Sequence, residues 1–221
     1  MIRTAVFDLP GVNRREILRY SGSKEETPAL SALLDETLAE AQPVLTGSVC
    51  WTEFPVICGD GLLDLGFAQI RSGALERNLL GCHRIVVFGA TLGLGLDRLI
   101  TRYSHLSPAK ALMLQAIGAE RIEALCDVFC EKIRLDAESA GLFPRPRFSP
   151  GYGDFPLELQ KDIFRVLDCS RKIGLTLNES LLMSPSKSVT AVIGLGPCAG
   201  TDHPIRCGAC GKTDCIYRRM P

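Results

Sequence analysis

Histidine, tryptophan and surplus charge are what this 221-residue sequence has least of. Its 25 Lys and Arg balance 25 Asp and Glu, and a net charge of zero argues against nucleic acid as the main partner. With only 3 histidines there is little material for a Ser-His-Asp or Cys-His relay, and His83 and His105 have no acidic or thiol constellation around them in sequence. No apolar run approaches the roughly eighteen residues that a membrane-spanning helix needs. The start, Met1-Ile2-Arg3-Thr4-Ala5-Val6-Phe7-Asp8, has neither the apolar core nor the cleavage site of a signal peptide. No repeat and no low-complexity linker divides the chain. With 46% hydrophobic and 23% charged residues, the composition is that of an ordinary globular protein able to bury a core.

Cysteine, by contrast, is abundant. Ten cysteines without a secretion signal point to a reducing cytoplasm, with the thiols serving as core residues or metal ligands. Cys198, Cys207, Cys210 and Cys215 follow the spacing C-x8-C-x2-C-x4-C at a polar, turn-rich end, with His203 inside the first gap. Four thiolates at such spacing can close a tetrahedral zinc site or hold an iron–sulfur cluster, and spacing alone does not choose between them. Cys126 and Cys130 share a helical face but lie among Leu125, Phe129 and Ile133, where a thiol behaves as a small apolar group. Cys50, Cys58, Cys82 and Cys169 are read the same way.

The patterning predicts an α+β fold of one continuous domain, residues 1–197, with a Cys-rich tail at 198–221. Residues 1–43 look largely helical, with a helix from Pro28 that Pro43 ends. Residues 44–91 read as strands: Val49 to Ile57, a turn at Gly59-Asp60-Gly61, a helix from about Ser72 to Leu80, and a buried strand at Ile85 to Phe88. Residues 94–139 are helical, and Ser107-Pro108 starts the longer helix, with Ser107 as cap. A helix over 157–173 and a strand near Val189 to Leu195 complete the domain.

Two glycine-rich segments imitate nucleotide sites. Gly89-Ala90-Thr91-Leu92-Gly93-Leu94-Gly95 lies between a strand and a helix, but its glycines do not match G-x-G-x-x-G. Gly211-Lys212-Thr213 resembles the end of a P-loop, yet Arg206 stands where the first glycine must be.

Two turns carry more. Arg147-Phe148-Ser149-Pro150-Gly151-Tyr152 offers a permanent forked cation suited to a carboxylate, followed by a glycine that lets main-chain groups approach a small ligand. About thirty residues on, Met183-Ser184-Pro185-Ser186-Lys187-Ser188-Val189 leads into an apolar strand. These turns stand in order with Ala90-Thr91-Leu92-Gly93, Leu96-Asp97-Arg98, Ala109 to Leu112, Gln115 to Gly118 and Gly174 to Ser180. Together they resemble the activation domain of cobalamin-dependent methionine synthase over about Val86 to Leu195, in a stand-alone short form.

The resemblance implies a single C-shaped domain with a twisted, mainly antiparallel sheet and long flanking helices. It implies binding of S-adenosylmethionine, and support in trans for the reductive remethylation of cob(II)alamin held by a corrinoid-binding protein or a shortened methionine synthase. An electron donor such as flavodoxin or ferredoxin would supply the electron. Arg147 would pair the ligand carboxylate, Pro150, Gly151 and Tyr152 would present backbone to the adenine or amino-acid moiety, and Glu123 would hold the ammonium. Ser186 and Ser188 would lie near the methyl-delivery face, where small side chains let a flat corrin approach. The chain departs from the family where Gly153 and Glu158 stand for a common proline and histidine, and where Cys198 to Thr201 replace the neighbourhood of a tyrosine. The alternative is a corrinoid-protein interaction module that does not use S-adenosylmethionine and carries a structural zinc tail.

Overall fold

The computed structural model describes residues 1–23, 25–59 and 61–198. In chain order it contains β1 (Arg3–Phe7), α1 (Arg14–Tyr20), α2 (Pro28–Ala41), β2 (Gly47–Pro55), β3 (Ile57–Gly59), β4 (Leu62–Asp64) and β5 (Gln69–Ile70). There follow α3 (Gly73–Asn78), β6 (Arg84–Thr91), α4 (Leu94–Leu106), α5 (Pro108–Ser139) and β7 (Phe143–Pro144). Then come α6 (Gln160–Leu167), α7 (Cys169–Ile173), β8 (Thr176–Leu177), β9 (Met183–Ser184) and β10 (Ser188–Gly196). The fold is α+β. Its main sheet has the order β1-β2-β6-β10-β7, and every pairing in it is antiparallel.

The two faces of this sheet build two cores. On one face α5 lies across the strands, with α1, α2 and α4 packed against it. Phe129 of α5 is its keystone: it meets Trp51 at 5.3 Å and Phe88 at 4.7 Å between ring centroids, and these two face each other directly across β2 and β6. Fully burying such a side chain contributes about 1.5–3 kcal/mol. The other face is covered by α3, α6 and α7, around Leu75, Val87, Ile163, Leu167 and Val192. Here Cys50 and Cys169 bring their sulfurs to 3.8 Å, opposite Gly89. A side chain at Gly89 would begin 3.2 Å from one sulfur and 3.6 Å from the other.

The structure corrects three readings. Residues 3–7, expected within a largely helical stretch, form the edge strand β1, whose weak alternation leaves only a faint period-two pattern. The helix expected over 157–173 is a short 3₁₀ turn followed by two helices, broken where Asp168 adopts a left-handed conformation with φ 48°. Ser107 precedes α5 with Pro108 in its first turn, but its side chain makes no capping bond; its carbonyl accepts from Ala111 N–H instead. In the 59–61 turn, Asp60 lies outside the described residues, while β3 and β4 pair on either side of it. The Gly89–Gly95 segment does join a strand to a helix, and Gly95 has a packing reason. A Cβ there would lie 2.5 Å from the Val44 carbonyl oxygen.

Candidate functional site

β10 is the frame on which both turns hang. Its outer edge pairs with β7 through Leu195 and Gly196, and then with Phe148, which exchanges two hydrogen bonds of 2.9 Å with Val192. Neighbouring residues on extended chain point to opposite faces. Phe148 therefore joins the α6–α7 core, 6.0 Å from the Phe155 ring, while Arg147 reaches to α5. Ser188 stands four positions before Val192, so the second turn begins about 13 Å further along the same strand.

Arg147 meets two carboxylates that one helical turn of α5 places together. Its guanidinium donates to Glu123 Oε2 at 2.6 Å and to Asp127 Oδ1 at 2.5 Å, and lies 3.8 Å from Cys130 Sγ. Partial burial alone would disfavour its charge, but the Asp127 hydrogen bond and the neighbouring negative charge raise its pKa overall. Burial pushes the Cys126 and Cys130 thiols up, with Arg147 acting in the opposite direction. Glu123 and Asp127 also line an open cleft of about 290 Å³ between α5 and α1, with Asn13, Glu16, Tyr20 and Glu120. Its α1 wall is held by a buried Glu120–Arg121 pair, from which Arg121 donates to the carbonyls of Pro10 and Gly11 and Glu120 accepts from Asn13 N–H.

The turn after Arg147 is closed by its own main chain. Gly151 N–H donates to Phe155 O at 2.8 Å, Tyr152 N–H to Ser149 O at 3.2 Å, and Phe155 N–H to Tyr152 O at 3.0 Å. Gly151 has φ +90°, a conformation that favours glycine. Pro150 is buried beneath the turn and Tyr152 is 68% exposed at its tip. Asp154 extends from the turn to the start of α3. Its carboxylate accepts from Ser72 Oγ at 2.5 Å, Gly73 N–H at 2.8 Å and Ala74 N–H at 3.0 Å. The Ser72 bond and these main-chain donors hold Asp154 below the usual carboxylate range.

The second turn is fixed from α4. Asp97, in the first turn of that helix, accepts from Ser186 N–H at 2.7 Å and from Ser186 Oγ at 2.6 Å. Ser188 Oγ bonds Thr91 Oγ1 and the Pro185 carbonyl, both at 2.8 Å, and the Ser184–Pro185 peptide is cis. Lys187 lays its stem over Gly118 of α5, where a Cβ would begin 2.8 Å from its Cγ. Burial lowers the Lys187 pKa, opposed by the nearby Asp97 charge.

The structure thus brings Arg147 and Glu123 into contact and sets Pro150, Gly151 and Tyr152 in the adjoining turn, with Ser186 and Ser188 further along β10. Sequence reasoning gave no role to Asp127, Asp97 or Asp154. Asp127 is four residues from Glu123, the spacing that puts both on one helical face, and this is the signal that could have found it. Of the proposed metal ligands, Cys198 is exposed and its carbonyl accepts from Arg145, while Cys207, Cys210 and Cys215 lie outside the described residues. Among the described residues no group of three or more His, Cys, Asp or Glu is placed to hold a metal, and no helix is long and apolar enough to cross a membrane.

Residues 78–201 match the family described as "Vitamin B12 dependent methionine synthase, activation domain", a span that includes both turns and all of α5. A solved structure titled "Crystal Structure of the MetH Reactivation Domain bound to AdoHcy" has the same fold, with a TM-score of 0.62 and 18% identity over 89% of this chain and 79% of that one. No curated protein matches the chain.

Proposed function

This chain belongs to the family of vitamin B12-dependent methionine synthase activation domains, and from that premise we propose that it binds S-adenosylmethionine and supports reductive remethylation of cob(II)alamin on a partner corrinoid protein. The observation that carries the reading is the common frame: a forked cation with two carboxylates stands at one end of a β10 segment, and a turn of small side chains at the other. The ligand matches that arrangement. It has a carboxylate for Arg147, an ammonium for Glu123, and a flat base for the Gly151–Tyr152 turn. The solved relative named above is bound to AdoHcy, the product that remains when the methyl group has left.

Bound there, S-adenosylmethionine would supply the methyl group, and the partner's cobalt, reduced by one electron, the nucleophile. This chain contributes positioning. Arg147 fixes the amino-acid end, Glu123 orients its ammonium, and the Ser186–Ser188 turn leaves room for a flat macrocycle. In this proposal the corrinoid sits on a corrinoid-binding protein or a shortened methionine synthase acted on in trans, and flavodoxin or ferredoxin supplies the electron in the cytoplasm. The cysteines Cys198, Cys207, Cys210 and Cys215 are proposed to bind zinc or an iron–sulfur cluster, and metal analysis with a visible spectrum of anaerobically purified protein distinguishes these outcomes.

The test mixes the protein with a cob(II)alamin-loaded partner, a reductant and S-adenosylmethionine. Appearance of the methylcobalamin spectrum, dependent on all four, is expected. Its absence while calorimetry still detects S-adenosylmethionine binding leaves a binding module without the remethylation role. No binding at all overturns the proposal.

A further inference from the structure

Asp154 lies outside every residue assigned to the ligand above, yet it ties the ligand turn to the rest of the molecule. We infer that Asp154 is a positioning residue for S-adenosylmethionine: by seizing the start of α3 it holds the Gly151–Tyr152 turn in its binding conformation. This rests on the reading that the turn holds the ligand.

The internal hydrogen bonds of the turn join only residues 149–155, so they shape the loop without fixing where it stands. Phe148 anchors one side through β10. On the other side the chain must reach α6, and Phe155, buried in the second core, is the next fixed side chain. Between these anchors Gly151, Tyr152, Gly153 and Asp154 are all exposed, so burial does little to hold the tip.

Asp154 supplies the missing tether. Its two carboxylate oxygens take three donors, one side chain and two main-chain, all from Ser72, Gly73 and Ala74. Those N–H groups belong to the first turn of a helix and have no partner within it. Ser72 is engaged on both sides: its Oγ donates to Asp154 and accepts from Leu75 N–H at 3.1 Å. Residues about eighty positions apart are thereby locked in one network.

Gly153 adds an independent steric observation. It has φ +57°, and a Cβ on it would begin 2.9 Å from the Ala74 Cβ. The turn is pressed so closely on α3 that only glycine fits beside Asp154. The close approach and the carboxylate clamp thus form one device by which this chain secures the turn.

The experiment measures S-adenosylmethionine affinity by calorimetry, together with the thermal unfolding midpoint, in four variants. Asp154→Ala and Ser72→Ala are each expected to weaken binding about tenfold, and the double variant to be little worse than Asp154→Ala because both remove one network. Asp154→Asn keeps one acceptor oxygen but turns an amide NH2 towards a donor that the second carboxylate oxygen now accepts, so its loss of affinity should fall between those of the unaltered protein and Asp154→Ala. The decisive readout is the split between affinity and midpoint: a merely structural clamp moves the midpoint and leaves the affinity of the folded protein unchanged, which overturns the inference. Additive losses in the double variant overturn it too. Failure of the unaltered protein to bind S-adenosylmethionine is the separate result that removes the underlying reading.

Discussion

Arg147 and Glu123, 24 positions apart in sequence, meet at 2.6 Å, and Asp127 holds the other prong of the same guanidinium. A ligand carboxylate that engages Arg147 must therefore share or displace one of them. Asp127 is the more exposed, at 69% against 38% for Glu123, so it is the more readily displaced. Asp127→Asn is accordingly expected to tighten S-adenosylmethionine binding about three- to fivefold, the range of an exposed ion pair's worth. Glu123→Gln should weaken binding about tenfold and Arg147→Ala by at least about thirtyfold, because the forked charge has no substitute. Titration calorimetry reads all three, and unchanged binding in Arg147→Ala would remove the site from this part of the fold.

The second turn predicts a different signature. Asp97→Ala releases both polar groups of Ser186 that it now holds. Affinity for S-adenosylmethionine should fall less than threefold, while the rate of methylcobalamin formation on a loaded partner falls about tenfold or more. Equal losses in both measurements would mean that this turn only helps to bind the ligand.

Glycine at position 118 tests packing against propensity. In an exposed helix, replacing glycine with alanine stabilises by about 1 kcal/mol. Here the new Cβ would begin 2.6 Å from Leu96 Cδ2 and 2.8 Å from Lys187 Cγ, and overpacking of that kind costs about 1–3 kcal/mol. Gly118→Ala should therefore lower the denaturant midpoint. A rise would show that Lys187 moves aside freely.

Alkali should weaken the fold. Burial raises the thiols of Cys58, Cys82, Cys126 and Cys130, and the Cys50 hydrogen bond together with burial raises that of Cys169. A group raised in the folded state contributes stability that is fully present below its unfolded pKa, and that contribution is lost as pH climbs towards the folded value. Stability is expected to hold up to about pH 8 and to fall from about pH 9 upward, followed by urea unfolding under reducing conditions. In folded protein treated with a chelator to remove any bound metal, Cys198 should react with iodoacetamide well before Cys50, Cys82, Cys126 and Cys169, as peptide mapping can report.

How much of this was legible depends on how strongly each element repeats. α5 carries a three- and four-residue apolar rhythm through Leu114, Ile117, Ile122, Leu125, Phe129 and Ile133, and it lies where that rhythm put it. β1 has five residues on a sheet edge with none fully buried, too little for a period to emerge. Helical spacing from Ile163 to Leu167 continues into Cys169, so the left-handed break at Asp168 leaves the pattern almost unmarked. The site followed the same logic. Arg147 and Glu123 were nameable through resemblance, whereas Asp154 looks in sequence like any acidic residue in a solvated turn. Only the fold reveals that Ser72, Gly73 and Ala74 await it.

The pairing of Phe148 with Val192 has a mechanical consequence. Both turns are fastened to a single strand of an antiparallel sheet, so they cannot swing apart or together as jaws on a hinge would. The site is a fixed gauge. Under the proposed function, such a gauge would select a molecule by whether its length fits the gap and hold it out, already measured, to whatever docks against it.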